Sequence, residues 1–161
     1  MNYPLAEILR LRLYRENSAA AAVQVCQRKL EAARQEVHRR EKKHAEYHAW
    51  RLQEEPKVFE KIRGQKIGLA DIDAYKDEIQ ALRAEEIALE EAIFKAKVFV
   101  SECAENVVAA QNAHSEAVHN RQKIEAHKDI WQKEDKKIKD QAEEREMEEF
   151  TSPSFLSQLS L

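Results

Sequence analysis

His44 and His48 stand four residues apart in the run His44-Ala45-Glu46-Tyr47-His48, a spacing that puts two imidazoles on one helix face and can bind a divalent metal ion. The order does not suit a zinc protease, whose helix needs glutamate directly after the first histidine, where this chain has Ala45. No third histidine is placed to complete a site, so the sequence by itself assigns no metal ligand. Nor does it contain a glycine-rich phosphate loop, a Cys-x-x-Cys pair, or a Ser/His/Asp set with a pocket to hold it. The expectation is a protein that is not an enzyme, with no catalytic residue and no cofactor. Cys26 and Cys103 fall on apolar seam positions, where a cysteine acts as a small buried hydrophobe, and both are expected to stay reduced.

A second chemistry to weigh is polyanion binding through the basic run Arg28, Lys29, Arg34, Arg39, Arg40, Lys42 and Lys43. Glu31, Glu36, Glu41 and Glu46 are interleaved with it at helical spacing, which is the pattern of a solvated face carrying local ion pairs. With a net charge of −3 over 161 residues, the chain is read as having no nucleic-acid partner. The charge is unevenly divided: residues 1–66 hold 15 Lys/Arg against 9 Asp/Glu, and residues 67–161 hold 12 against 21. Two helices of opposite sign favour pairing with each other, by an amount that salt weakens.

The elements that carry these residues are legible from apolar periodicity. From Ile72 a stripe at alternating steps of three and four runs through Ile79, Leu89, Ala96, Cys103, Val107, Ile124, Trp131 and Ile138 to Ala142, about seventy residues without glycine or proline. A weaker stripe through Leu5, Leu9, Val23, Cys26, Leu30, Ala33 and Val37 marks an earlier helix, from about residue 4 to about residue 54. Pro56 is expected to kink or break it. Gly64 and Gly68 bracket the one turn-like stretch, with Asp71 as the cap of a second helix that runs to about Glu149.

The predicted fold is all-α, a long two-helix antiparallel coiled-coil hairpin with unequal arms, spanning 1–150 with its turn near 63–70, followed by a flexible tail, 151–161. A turn centred near residue 66 makes facing residue numbers sum to about 131, because the two helices of an antiparallel coiled coil run in opposite directions from their loop. That register sets Arg40 and His44 opposite Glu86 and Glu90, so the polar interruptions of both stripes coincide, and it sets Trp50 near Leu82. It also exhausts the first helix near residue 127 of the second. Trp131, Ile138, Met147 and Phe150 are then expected to be uncovered unless another protein, or a second copy, packs on them. Isolated, the chain is expected to be a monomer.

No apolar run approaches the roughly twenty residues that cross a bilayer, and the start Met1-Asn2-Tyr3-Pro4 has no signal-peptide pattern, so a cytoplasmic protein is expected.

The opening Tyr3-Pro4-Leu5 with Ile8-Leu9-Arg10-Leu11-Arg12, the middle Phe59-Glu60-Lys61-Ile62-Arg63-Gly64 leading to Asp71-Ile72-Asp73-Ala74-Tyr75, and Trp131 before the acidic end Glu143 to Phe150 resemble one family. It comprises the stalk proteins of bacterial type III secretion systems, the YscO-type relatives of flagellar FliJ. The resemblance implies a rotor-like hairpin whose terminal end enters the pore of a hexameric secretion ATPase. It also implies contacts with an export gate protein and, in some members, with secretion chaperones, at the cytoplasmic face of the inner membrane and peripheral to it. Carried onto this chain, the ATPase-facing candidates are Leu5, Ile8, Arg10, Arg12, Arg15, Trp131, Lys133, Lys136 and Lys137. The gate-facing candidates are Phe59, Arg63, Lys66 and Tyr75. The alternative is a free-standing cytoplasmic coiled-coil chaperone or scaffold.

Overall fold

The structure is a computed structural model that describes residues 2–152 and 157–159. Two helices, α1 (Ala6–Ile62) and α2 (Leu69–Thr151), pack against each other as a hairpin, and the described residues contain no strand. Of the expected tail 151–161, residues 153–156, 160 and 161 lie outside the described residues, and Thr151 closes α2, its hydroxyl donating to the Met147 carbonyl at 2.8 Å.

Six residues reverse the chain, 63–68. Gly64 takes φ of 79°, the left-handed conformation that stops a helix and that a side chain would strain. Across the turn, Asp71 carries the N-terminus of α2, although not from the position the sequence suggested. The helix begins at Leu69, and Asp71 reaches back from inside its first turn to accept the Gly68 amide at 3.1 Å, the return half of a capping box.

α1 runs unbroken through Pro56 to Ile62, past the end near residue 54 expected from the sequence. Proline removes the hydrogen bond to the Leu52 carbonyl, but packing on either side of it outweighs that loss. Val58 is only 3% exposed, and the Arg51–Glu55 pair at 2.7 Å is joined by Arg83 of α2 at 3.2 Å.

Contacts divide the chain into a turn-side unit, Ala22–Ala110, and a terminal unit, Met1–Ala21 with Gln111–Leu161. In the turn-side unit the buried residues are Ala33 and Val58 of α1 and Glu86, Ala96, Cys103 and Val107 of α2. The four on α2 all belong to the stripe read from the sequence, so the three-four period does select the face turned to α1. Cys26 and Cys103 are both free thiols, with Cys103 buried and Cys26 partly so. Among the described residues of the terminal unit, Tyr3 is the buried side chain, at 7% exposure.

Candidate functional site

In the turn-side unit a band of polar residues replaces the apolar seam. His44 and His48 project from one face of α1, one turn apart with ring centroids 6.3 Å apart, and meet Glu86 and Glu90, likewise one turn apart on α2. Nε2 of His44 lies 3.3 Å from Oε1 of Glu90 and 3.7 Å from Oε1 of Glu86. Nδ1 of His48 is hydrogen-bonded to Glu86 Oε1, while Arg51 makes an ion pair at 2.7 Å with the other carboxylate oxygen of Glu86. The His48 hydrogen bond and then the Arg51 charge hold the Glu86 carboxyl below its usual range, against the opposing effect of burial.

The register from the sequence therefore brings His44 to Glu86 and Glu90 as expected. Arg40 also keeps the register, reaching Ala92, but it does not pair with Glu86 or Glu90. Its guanidinium turns back one helical turn to Glu36 at 2.8 Å and donates to the Ala92 carbonyl at 2.8 Å, leaving the carboxylates of α2 to His48 and Arg51. Those two residues flank the seam; the sequence paired His48 only with His44 and did not single out Arg51, because long side chains reach around a helix from positions beside the stripe. Leu82 is likewise met by Tyr47, whose hydroxyl donates to its carbonyl at 2.8 Å, with Trp50 leaning on Tyr47 at 5.5 Å.

Nearer the turn, Phe59 and Tyr75 pack edge to face at 6.2 Å, Arg63 pairs with Glu60 at 3.1 Å, and Lys66 is exposed. Of the gate-facing candidates, the structure joins only the two aromatic rings.

In the terminal unit the surprise is Tyr3. Its ring stands 5.8 Å from His127 and 5.5 Å from Trp131, and its hydroxyl is hydrogen-bonded to Nδ1 of His127 at 2.6 Å. Trp131, expected to be uncovered, is thus half-buried. One tyrosine ahead of α1 covers two α2 positions a turn apart, so the partnered seam reaches farther than counting helical residues suggests. Leu5 and Arg12 are half-buried, while Ile8, Arg15, Lys133, Lys136 and Lys137 are exposed, and Arg10 pairs with Glu7 at 3.1 Å. Arg121 binds Glu16 across the hairpin and Glu125 one turn along, a link that apolar periodicity does not reveal.

Beyond Trp131 the same stripe continues at Ile138, which is 66% exposed, and Met147 is 70% exposed.

A family model, that of the type III secretion protein YscO, matches residues 5–153. Among solved structures, a type III secretion protein YscO from Vibrio parahaemolyticus is 25% identical, with a TM-score of 0.86 over 91% of this chain and 92% of that one. A YscO homologue from Chlamydia trachomatis shares the fold at 23% identity, with a TM-score of 0.78 over 99% of this chain and 97% of that one. Comparison with curated protein sequences gives no match.

Proposed function

The chain belongs to the YscO family of type III secretion proteins, and from that premise we propose that it is the central stalk of a secretion ATPase complex. In this reading the terminal unit enters the pore of a hexameric ATPase, and the turn contacts the export gate at the cytoplasmic face of the inner membrane. No helix among the described residues is long and apolar enough to cross a membrane, so attachment there would run through partners. The stalk works without chemistry of its own: a two-helix insert in a six-fold ring cannot touch six subunits alike, and unequal contacts bias them toward different nucleotide states.

The observation that carries the terminal assignment is Ile138, on the stripe of Trp131 yet exposed past the last residue that Tyr3 covers. Lys133, Lys136 and Lys137 stand exposed around it, suited to a rim of acidic groups. Leu5, Ile8, Arg10, Arg12 and Arg15 complete the candidate surface, and Phe59, Arg63, Lys66 and Tyr75 form the one toward the gate.

Ile138→Asp in the full chain tests the assignment. An apolar anchor of an interface contributes about 2 kcal/mol, so binding to the cognate hexamer should weaken about thirtyfold and stimulated hydrolysis should fall with it. The far-UV melt should not move, because Ile138 supports nothing inside the hairpin. Phe59→Ala should leave ATPase binding intact and weaken the gate contact. Unchanged ATPase binding by Ile138→Asp would place the ATPase contact elsewhere.

A further inference from the structure

We propose that His44, Glu86 and Glu90 form a site for one divalent transition-metal ion of the zinc class, bridging α1 and α2 near the middle of the turn-side unit. This goes beyond the stalk reading and does not depend on it. One ligand atom from each of the three residues lies within 4.8 Å of the others. In a tetrahedral site with bonds of about 2.0–2.1 Å, neighbouring ligand atoms stand about 3.3–3.5 Å apart, the edge of the tetrahedron. The two measured His44–carboxylate separations, 3.3 and 3.7 Å, are already close to that edge.

The His44 nitrogen supplies an independent observation. Nε2 is buried and has no hydrogen-bond partner, although two carboxylate oxygens stand near it. It is close to both and aligned with neither. A buried nitrogen that stands beside two carboxylate oxygens without hydrogen-bonding either, one of them also bound to His48, suits a cation among the three better than hydrogen bonds within the set.

Charge and support agree with this. The two carboxylates supply −2 against a divalent ion and the imidazole is a neutral donor, an oxygen and nitrogen set that fits zinc and its first-row neighbours better than magnesium or calcium. His48 and Arg51 hold Glu86 in place from outside the set, as hydrogen-bonded neighbours of metal-bound carboxylates do. Arg51 pairs with Oε2 of Glu86, not with the Oε1 that faces His44. Solvent takes the fourth position. The His44/His48 pair that a sequence search notices is therefore only half used: the missing ligands are carboxylates on the other helix, which only the hairpin brings near.

The test is zinc titration of the full chain, stripped of metal and of any purification tag, by calorimetry, with cobalt as a spectroscopic substitute. One ion per chain should bind, with the visible absorption of four-coordinate cobalt, and the melting temperature should rise with zinc concentration because only the folded hairpin holds the site. His44→Ala and Glu90→Gln should each weaken binding at least about tenfold and remove the melting shift. Glu90 is more than half exposed, so Glu90→Gln keeps the fold even if His44→Ala does not. His119→Ala, in the terminal unit, should bind as the unaltered chain does. Absence of saturable binding at one equivalent, or unchanged affinity in either site variant, would overturn the proposal.

Discussion

Glu55 shows how the charged layer ties stability to acidity. Its carboxyl is held below 4.5 by hydrogen bonds first from Arg83 of α2 and then from Arg51 of α1, with burial acting the other way. A carboxylate whose folded pKa is depressed contributes stability that is complete above its unfolded value and disappears as pH falls through the folded one. Glu55→Gln should therefore lower the melting temperature at pH 7, and the gap from the unaltered chain should close as pH is lowered below about 4.5. Thermal melts at a series of pH values measure that gap. Tyr3 yields a second expectation. Tyr3→Ala removes the cover over Trp131, so in a Trp50→Phe background the fluorescence of Trp131 should shift to the red, with a loss of about 2 kcal/mol in urea unfolding. At this scale the sequence showed which positions face each other, as with His44, Glu86 and Glu90. It did not show which side chains win the contacts: Arg40 had a nearer partner in Glu36, and Tyr3 lay outside any periodic stretch.

The helices themselves were legible because an apolar period of three and four, sustained over many turns, matches the seam of a paired helix and little else, and the buried residues of α2 lie on that stripe. The helix end expected before Pro56 shows where local propensity stops being decisive. Proline opposes a helix interior by about 3 kcal/mol, yet Val58 and the Arg51, Glu55 and Arg83 cluster keep α1 continuous through it. Pro56→Ala should accordingly stabilise the chain by about 1–3 kcal/mol without adding helix, visible as a higher urea midpoint at unchanged far-UV intensity. The turn was readable for the opposite reason, since Gly64 and Gly68 are the only glycines in the chain. Their roles differ: Gly64 supplies a conformation, and Gly68 supplies an amide to Asp71.

For the whole molecule, membership of the YscO family fixes the system in which the chain acts, while the proposed stalk role rests on what the hairpin leaves uncovered. The sequence showed the uneven arms but placed the end of the partnered seam near residue 127, and Tyr3 moves it to Trp131. Past that point α2 runs to Thr151 with local ion pairs such as Lys139–Asp135 as support. Most of a helix's stability in a protein comes from a packed face, and this stretch has none against α1. Amide hydrogen exchange should therefore be fast from about residue 135 onward in the isolated chain, slow around Ala96 to Val107, and markedly slower in the distal stretch once the hexamer is added. A helix that becomes firm only on contact gives back part of its binding free energy as lost conformational entropy. The resulting grip is specific without being tenacious, which would let a stalk release one subunit of a ring as readily as it engages the next.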